Sequence, residues 1–174
     1  AWVAFTRKND LYTINIASGK EYRITNDGTD LILNGYASWV YFEEILGRPT
    51  RYKSYWWSPD SKQIVFMRMD DTKVPLFPIY SENGQHGYSE NTRYPKAGDP
   101  NPTVRIGITP VEGGQLTWAD FNENEDQYFG MPYWMPDAKT LLIQWMNRGQ
   151  DNLIVYAVNP SNGSKKEVYN EKQK

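Results

Sequence analysis

The sequence has no cysteine, a single histidine and no long apolar run. The absence of cysteine excludes a disulfide framework, a thiolate zinc site and a cysteine nucleophile. A Ser-His-Asp triad or a histidine-containing metal site would have to use His86, which lies in a polar, glycine-flanked stretch typical of an exposed loop. The longest apolar run covers residues 153–158, which is far short of a membrane span.

An excess of charge of either sign is also missing, because 19 basic and 21 acidic residues give a net charge of −2. A dedicated nucleic-acid-binding protein would carry a basic stripe, so we expect no nucleic-acid partner. No Gly-x-Ser-x-Gly elbow occurs, which argues against a serine-hydrolase site within the chain. The acidic stretch 122–126 lacks the glycine and the spaced glutamate of a calcium loop. We therefore expect no catalytic residue, no metal and no cofactor in this chain.

Helical periodicity is nearly absent, and short apolar alternations separated by Gly, Pro, Asn and Asp take its place. Such alternation is typical of β-strands joined by turns. Aromatic residues make up 15% of the chain, and they suit the pleated, half-buried surface of a strand. The pattern predicts strands at residues 1–6, 11–16, 21–25, 54–57, 63–69, 103–110, 141–146 and 153–158.

Two sequence units recur along the chain. The first combines aromatic residues with Pro, Asp, a small residue and Lys before an apolar strand, and it occurs at 56–62 and 133–139. Pro and Asp in this unit start a tight turn. The second is an apolar strand followed by a glycine turn, at Gly19, Gly113 and Gly163. Gly113 and Gly163 lie 50 residues apart, a spacing typical of one propeller blade.

These repeats predict an all-β fold, namely a fragment of a β-propeller with between two and three four-stranded antiparallel blades. A β-sandwich with two similar turns by chance is the alternative. We divide the chain into a blade end 1–25, an insertion 26–51, a blade 52–114 with an arm insertion 78–102, and a blade 115–174. A closed propeller needs at least about four blades, and the chain opens within an apolar run. We therefore expect it to be part of a longer protein.

One short stretch, residues 39–46, has helical character and carries the adjacent carboxylates Glu43 and Glu44 beside aromatic residues. In surroundings with little water, such a pair would attract a ligand ammonium strongly. A solvated acidic turn is the alternative interpretation.

A set of aromatic residues in the second half of the chain forms another candidate surface. Their density would allow stacking on sugars, and packing inside the sheets is the alternative. The set comprises Trp118, Phe121, Tyr128, Phe129, Tyr133, Trp134 and Trp145.

Three motifs, in this order, resemble the N-terminal β-propeller of the dipeptidyl peptidase IV family, within the prolyl oligopeptidase-type serine peptidases. The first is WVYFEE at 39–44, which is similar to the segment that ends in the family's double glutamate. The second is YWWSPD at 55–60, similar to the strand and turn that follow. The third is YPKAG at 94–98 with NPTVR at 101–105, similar to the family's characteristic loop and strand. The resemblance spans nearly the whole chain.

This resemblance implies that Glu43 and Glu44 bind the free α-amine of a peptide substrate, from a short helix that projects toward a hydrolase domain. The dipeptide released would end preferentially in Pro or Ala. Catalysis would belong to a C-terminal α/β-hydrolase domain outside this chain, and the arm 78–102 would contribute to homodimer contacts. Phe42 stands where several relatives carry a third acidic residue.

The resemblance also implies a periplasmic or extracellular location and predicts that this piece alone has no catalytic activity. A second hypothesis is a non-catalytic propeller that binds protein or carbohydrate. The gene downstream of Lys174 would separate the two hypotheses, because a Gly-x-Ser-x-Gly elbow followed by Asp and His indicates the peptidase.

Overall fold

A computed structural model describes residues 1–48 and 52–173. Antiparallel β-strands and one short π-helix, Tyr41–Ile45, make up its regular structure. The strands are β1 (Trp2–Arg7), β2 (Asp10–Asn15), β3 (Glu21–Arg23), β4 (Ile32–Asn34), β5 (Tyr55–Trp57), β6 (Gln63–Asp70), β7 (Leu76–Ser81), β8 (Tyr88–Arg93), β9 (Thr103–Pro110), β10 (Thr117–Trp118), β11 (Gln127–Phe129), β12 (Tyr133–Trp134), β13 (Leu141–Asn147), β14 (Asn152–Val158) and β15 (Lys165–Lys172). None of the helical residues in the described ranges forms a segment long and apolar enough to cross a membrane.

The strands form three successive sheets and a separate hairpin. The first sheet has the order β1-β2-β3. The second has the order β10-β9-β6-β4, with β5 also paired to β6, and the third has the order β11-β13-β14-β15, with β12 also paired to β13. Strands β7 and β8 pair with each other as the hairpin. Sheets that follow one another along the chain are typical of propeller blades, and the predicted all-β class with a short helix near 39–46 is confirmed.

Strand β6 shows how the sheets stack. Successive side chains of a strand point to opposite faces, and here the two faces enter two different cores. Ile64 and Phe66 pack with Leu11 of the first sheet. Val65 and Met67 instead join a larger core that includes residues of the third sheet. The second sheet is therefore the middle layer and is buried on both sides.

The repeated Pro-Asp unit forms the same turn in the second and third sheets. Asp60 Oδ1 accepts a hydrogen bond from the Lys62 N–H at 3.1 Å, and Asp137 Oδ1 accepts one from the N–H two residues later at 2.9 Å. The small residue in each turn, Ser61 or Ala138, has a positive φ of 58° or 56°. The sequence repeat thus marks equivalent turns of the two sheets.

Strand pairing departs from the predicted segmentation at two points. Strand β4 lies inside the predicted insertion 26–51, yet it pairs with β6. Strand β10 pairs with β9, so the second sheet extends beyond the predicted boundary at residue 114. Both strands are too short to produce a recognisable apolar alternation. Residues 49–51, at the end of the predicted insertion, lie outside the described residues.

The sequence pattern also predicts no strand at β7, β8, β11, β12 or β15, and β8 and β15 show one reason. Every residue of β15 is exposed, and most of β8 is too. A strand with two solvated faces carries no alternation of apolar and polar residues. Such strands are visible only in the pairing of the folded chain.

In both five-stranded sheets, one edge is formed by two separate short strands instead of one continuous strand. In the third sheet, β11 and β12 pair with opposite ends of β13, and only residues 130–132 separate them. In the second sheet, β4 and β5 pair with opposite ends of β6, and residues 35–54 lie between them. We call residues 35–54 the excursion, and it carries the π-helix.

Candidate functional site

The excursion leaves and rejoins the second sheet through a closed neck. Tyr36 and Lys53 form an antiparallel bridge, and the Ser54 N–H donates to the Gly35 carbonyl at 3.0 Å. Gly35 has a φ of 67°, a conformation that glycine adopts without the usual steric cost. The neck therefore fixes the point from which the helix projects.

The π-helix is fastened to the third sheet by one buried ring. The Leu46 N–H donates to the Tyr41 carbonyl at 2.7 Å, which is the five-residue step of a π-turn. The Tyr41 side chain is fully buried, and its hydroxyl accepts a hydrogen bond from the Phe129 N–H of β11 at 3.2 Å. Burial raises the pKa of Tyr41, so the hydroxyl stays neutral.

Glu43 is already engaged by neighbours within the excursion. Its carboxylate accepts hydrogen bonds from the Trp39 indole N–H and from the Arg48 guanidinium. The Arg48 side chain is 64% exposed, so the ion pair lies at the surface, where such pairs contribute about 0–1 kcal/mol. A cation that approached Glu43 would have to compete with Arg48.

Glu44 lies in different surroundings. It is exposed and lines a cavity of about 540 Å³ between the π-helix and the third sheet. Tyr128, Gln144 and Trp145 line the same cavity. The Trp145 indole N–H donates to Gln127 Oε1 at 2.6 Å, which holds the ring in place. A carboxylate beside aromatic rings suits an ammonium group, since both attract cations.

The two carboxylates diverge although they are adjacent in sequence. Side chains of neighbouring helical residues point about 100° apart. Glu43 contacts Trp39 and Arg48, whereas Glu44 lines the cavity. The sequence predicts a pair that acts on one amine, and the geometry gives its two members different neighbours.

The third sequence motif contacts the first. The Tyr94 ring meets the Trp39 ring edge-on, with centroids 5.7 Å apart. The loop after Tyr94 is closed by the Lys96 N–H, which donates to Asp99 Oδ2 at 3.0 Å. The YPKAG stretch at 94–98 therefore begins against the indole that binds Glu43.

Other residues considered in the sequence lie away from this site or inside the sheets. His86 is exposed at the tip of the β7–β8 hairpin, and 122–126 is an exposed loop. Phe129 and Trp134 of the aromatic set are buried, in agreement with packing inside the sheets. In the ranges 1–48 and 52–173, no three His, Cys, Asp or Glu side chains are grouped so that they could hold a metal ion.

Sequence reasoning missed two residues that shape the site. Arg48 follows Glu43 by five residues, and this charge pattern was a usable signal that an ion pair could form across the end of the helix. Tyr41 gave no such signal, because its partner is a backbone N–H of β11, distant in sequence.

Comparisons with known proteins place these observations in a family. A model of the dipeptidyl peptidase IV N-terminal region matches residues 1–174. A protein described as a probable dipeptidyl-aminopeptidase B, from Phaeosphaeria nodorum, is 29% identical over 97% of this chain. A probable dipeptidyl peptidase 4 from Aspergillus flavus is 33% identical over 90% of it. The crystal structure of Porphyromonas gingivalis dipeptidyl peptidase 4 superposes with a TM-score of 0.87 and 27% identity over 99% of this chain.

The chain is much shorter than these proteins. It covers 20% of the Phaeosphaeria protein, 21% of the Aspergillus protein and 24% of the Porphyromonas chain. The matched region therefore corresponds to about a fifth to a quarter of each relative.

Proposed function

The chain belongs to the dipeptidyl peptidase IV N-terminal family, and from this premise we propose that it supplies the amine-recognition part of a dipeptidyl peptidase. The whole protein releases dipeptides from peptides with a free N-terminus, preferentially after Pro or Ala. The reaction itself is carried out by a serine-type α/β-hydrolase domain outside these 174 residues. These residues alone have no peptidase activity.

The observation that carries this proposal is the position of Glu44. Its exposed carboxylate lines a cavity walled by Tyr128 and Trp145. An α-ammonium that enters this cavity donates a charge-assisted hydrogen bond to the carboxylate and is attracted to the faces of the rings by cation–π interaction. Glu43, one residue earlier, adds a second negative charge that attracts the same ammonium. A peptide held by its amine presents its second peptide bond at a fixed distance, which accounts for release of dipeptides.

The β7–β8 hairpin is the part of the chain we assign to dimer contacts and to control of access. Leu76, Tyr80 and Tyr88 on it are large apolar residues that are more than half exposed. Exposed aromatic residues of this kind are enriched at protein interfaces. A dimer of the full-length protein through this hairpin would cover them. We also propose that the protein lies in the periplasm or outside the cell, as its resemblance to the dipeptidyl peptidase IV family implies.

The test is to replace each glutamate by its isosteric amide in the full-length protein. Glu44→Gln should lower kcat/KM for a dipeptide p-nitroanilide with a free amine by about tenfold or more, because a charge-assisted bond of roughly 1.4 kcal/mol or more is lost. Glu43→Gln should lower it less, since Arg48 already offsets that charge. The exposed Glu112, in the turn after β9, provides the matched control Glu112→Gln.

An N-acetylated version of the same substrate gives the second arm of the test. Wild type should cleave it poorly, and Glu44→Gln should narrow the preference for the free amine. Equal cleavage of both substrates by wild type, or unchanged kinetics in Glu44→Gln, would contradict amine recognition at this site. No cleavage of either substrate by wild type would instead favour a non-catalytic binding propeller.

A further inference from the structure

A second cavity, of about 740 Å³, lies at the base of the hairpin and is lined in part by the excursion. Asp71 and Ser38 line it, and each residue is only 4% exposed. Asp71 Oδ1 and Ser38 Oγ are buried and have no hydrogen-bond partner among the described residues. Buried polar atoms are nearly always paired, so two orphaned atoms on one cavity indicate a missing partner.

The charge of the cavity favours a cation. Asp30 and Glu90 stand on its wall with Asp71, and Arg93 is the basic residue among the lining side chains. The Arg93 guanidinium donates to the Val74 carbonyl at 2.6 Å, and it forms no ion pair with Asp71 in the part of the chain that the structure describes. Arg93 is near enough for its charge to lower the pKa of Asp71, but among the described residues no cation forms a direct ion pair with the buried carboxylate.

The size and chemistry of the cavity narrow the class of ligand. Its volume far exceeds the roughly 30 Å³ that one water occupies. The carboxylates are not grouped tightly enough within the described ranges to hold a metal ion. The Trp39 side chain lines the cavity, and aromatic rings attract organic cations. Tyr52 also lines it, but its ring is stacked on Tyr36 and Phe42. An extended cation with several hydrogen-bond donors matches the orphaned acceptors and the Trp39 ring.

We propose that this cavity binds the cationic side chain of a lysine or arginine from a polypeptide. The ammonium or guanidinium donates to Asp71 Oδ1 and Ser38 Oγ, and the alkyl stem lies along the Trp39 ring. Asp30 and Glu90, at the exposed rim, attract the cation as it enters. The site is separate from the Glu44 cavity and does not depend on the proposed amine recognition.

The ionisation of Asp71 gives the site a pH dependence. Burial, and next the charge of Asp70, raise the pKa of Asp71 to about 7. Asp30, Glu90 and Arg93 are the other charged groups on this cavity. A cation binds the ionised carboxylate, so its affinity should rise with pH as Asp71 loses its proton. Between pH 6 and pH 8 the ionised fraction changes by about tenfold for such a group, and the affinity should follow.

The test uses N-acetyl-L-lysine amide and N-acetyl-L-arginine amide as probes on the full-length protein, with N-acetyl-L-glutamine amide as the neutral control. Acetylation removes the α-amine, so none of these probes offers an ammonium for the proposed Glu44 site. By calorimetric titration at pH 8, one or both cationic probes should bind, the neutral probe should not, and binding should weaken about tenfold at pH 6.

Variants decide whether the signal comes from this cavity. Asp71→Asn should weaken binding at least about tenfold, as expected when a charged hydrogen bond is lost. At pH 8, where Asp71 is already mostly ionised, Asp70→Asn at the adjacent, half-buried position should leave binding within about twofold. Glu90→Gln, on the exposed rim, provides a second variant that leaves the core intact, and it should weaken binding about two- to threefold. Equal binding of the neutral probe, no binding by wild type, or unchanged binding in both Asp71→Asn and Glu90→Gln would overturn the proposal.

Discussion

The second and third sheets share one arrangement of paired strands, which we call the frame, and they differ in the segments that interrupt it. In the third sheet, only residues 130–132 separate the two edge strands β11 and β12, and β13 passes to β14 through residues 148–151. In the second sheet the corresponding breaks are the excursion, which carries Glu43 and Glu44, and residues 71–102, which carry the β7–β8 hairpin.

The difference shows which segments of this chain carry the candidate functional residues. Paired strands set the frame in both sheets, and the candidate residues Glu44, Tyr80 and Tyr88 lie in the two long breaks of the second sheet. The third sheet contributes in another way, because Tyr128 and Trp145 line the cavity that Glu44 reaches. One sheet projects the carboxylate and its neighbour supplies the opposing surface.

The largest expected effect comes from removing the ring that joins the two sheets at this point. Tyr41→Ala should destabilise the protein by about 3–5 kcal/mol, the cost of emptying a large aromatic site in a core. Amide hydrogen exchange should rise in the excursion and in β11 together. Tyr41→Phe keeps the ring and loses only the hydroxyl that accepts from Phe129, so it should cost about 1–3 kcal/mol.

The hydrogen-exchange result for Tyr41→Ala shows whether the excursion and the third sheet share one core or are stable independently. If β11 stays protected in Tyr41→Ala while the excursion alone exchanges faster, the third sheet does not depend on the helix. The candidate cavity would then be formed by two independent surfaces, and not by a joint core.

The frame could be predicted from the sequence, because its signals are local. The Pro-Asp turns and the glycine turns recur at matching positions, and the apolar alternation identifies strands such as β6, β9 and β14. These features depend on residues within one strand and one turn. The shortest strands, β4 and β10, and the exposed strand β15 have no such local pattern, and only pairing with a distant neighbour defines them.

The candidate site could be predicted only in part. The resemblance of WVYFEE to a family motif identified Glu43 and Glu44, and composition placed aromatic residues near them. The different environments of the two carboxylates depend on Arg48 and on the third sheet. The orphaned atoms of Asp71 and Ser38 depend on how the hairpin base meets the excursion. Contacts between segments far apart in sequence leave no periodic signal along the chain.

A smaller effect should come from Arg48, which distinguishes the two carboxylates of the excursion. Arg48→Gln removes the cation that competes for Glu43, so KM for a free-amine substrate should fall about two- to fivefold with kcat unchanged, within the range of an exposed ion pair. Arg7→Gln, which breaks the exposed pair with Glu21 in the first sheet, serves as the matched control and should leave KM as it is. A rise in KM for Arg48→Gln would instead mean that Arg48 orients Glu43 for the substrate.

The smallest change in stability should follow from shortening the hairpin, which makes the second sheet more like the third. Strands β7 and β8 pair only with each other among the described strands, and the Tyr94 N–H donates to the Pro75 carbonyl at 3.1 Å across the hairpin base. Replacing residues 76–93 by a short Asn-Gly turn keeps this closing bond. Because β6 and β9 pair along their whole length from Asp70 and Thr103 onward, Tm should change by less than about 4 °C.

Sedimentation of the full-length protein gives the second measurement on this variant. Loss of the exposed Tyr80 and Tyr88 should convert a dimer to a monomer if the hairpin carries the contact, while hydrogen exchange in β6 and β9 stays unchanged. Faster exchange in β6 would mean that the hairpin supports the sheet from which it projects. The second sheet would then need the long segment between β6 and β9 for its stability, whereas the third sheet has only a short turn between β13 and β14.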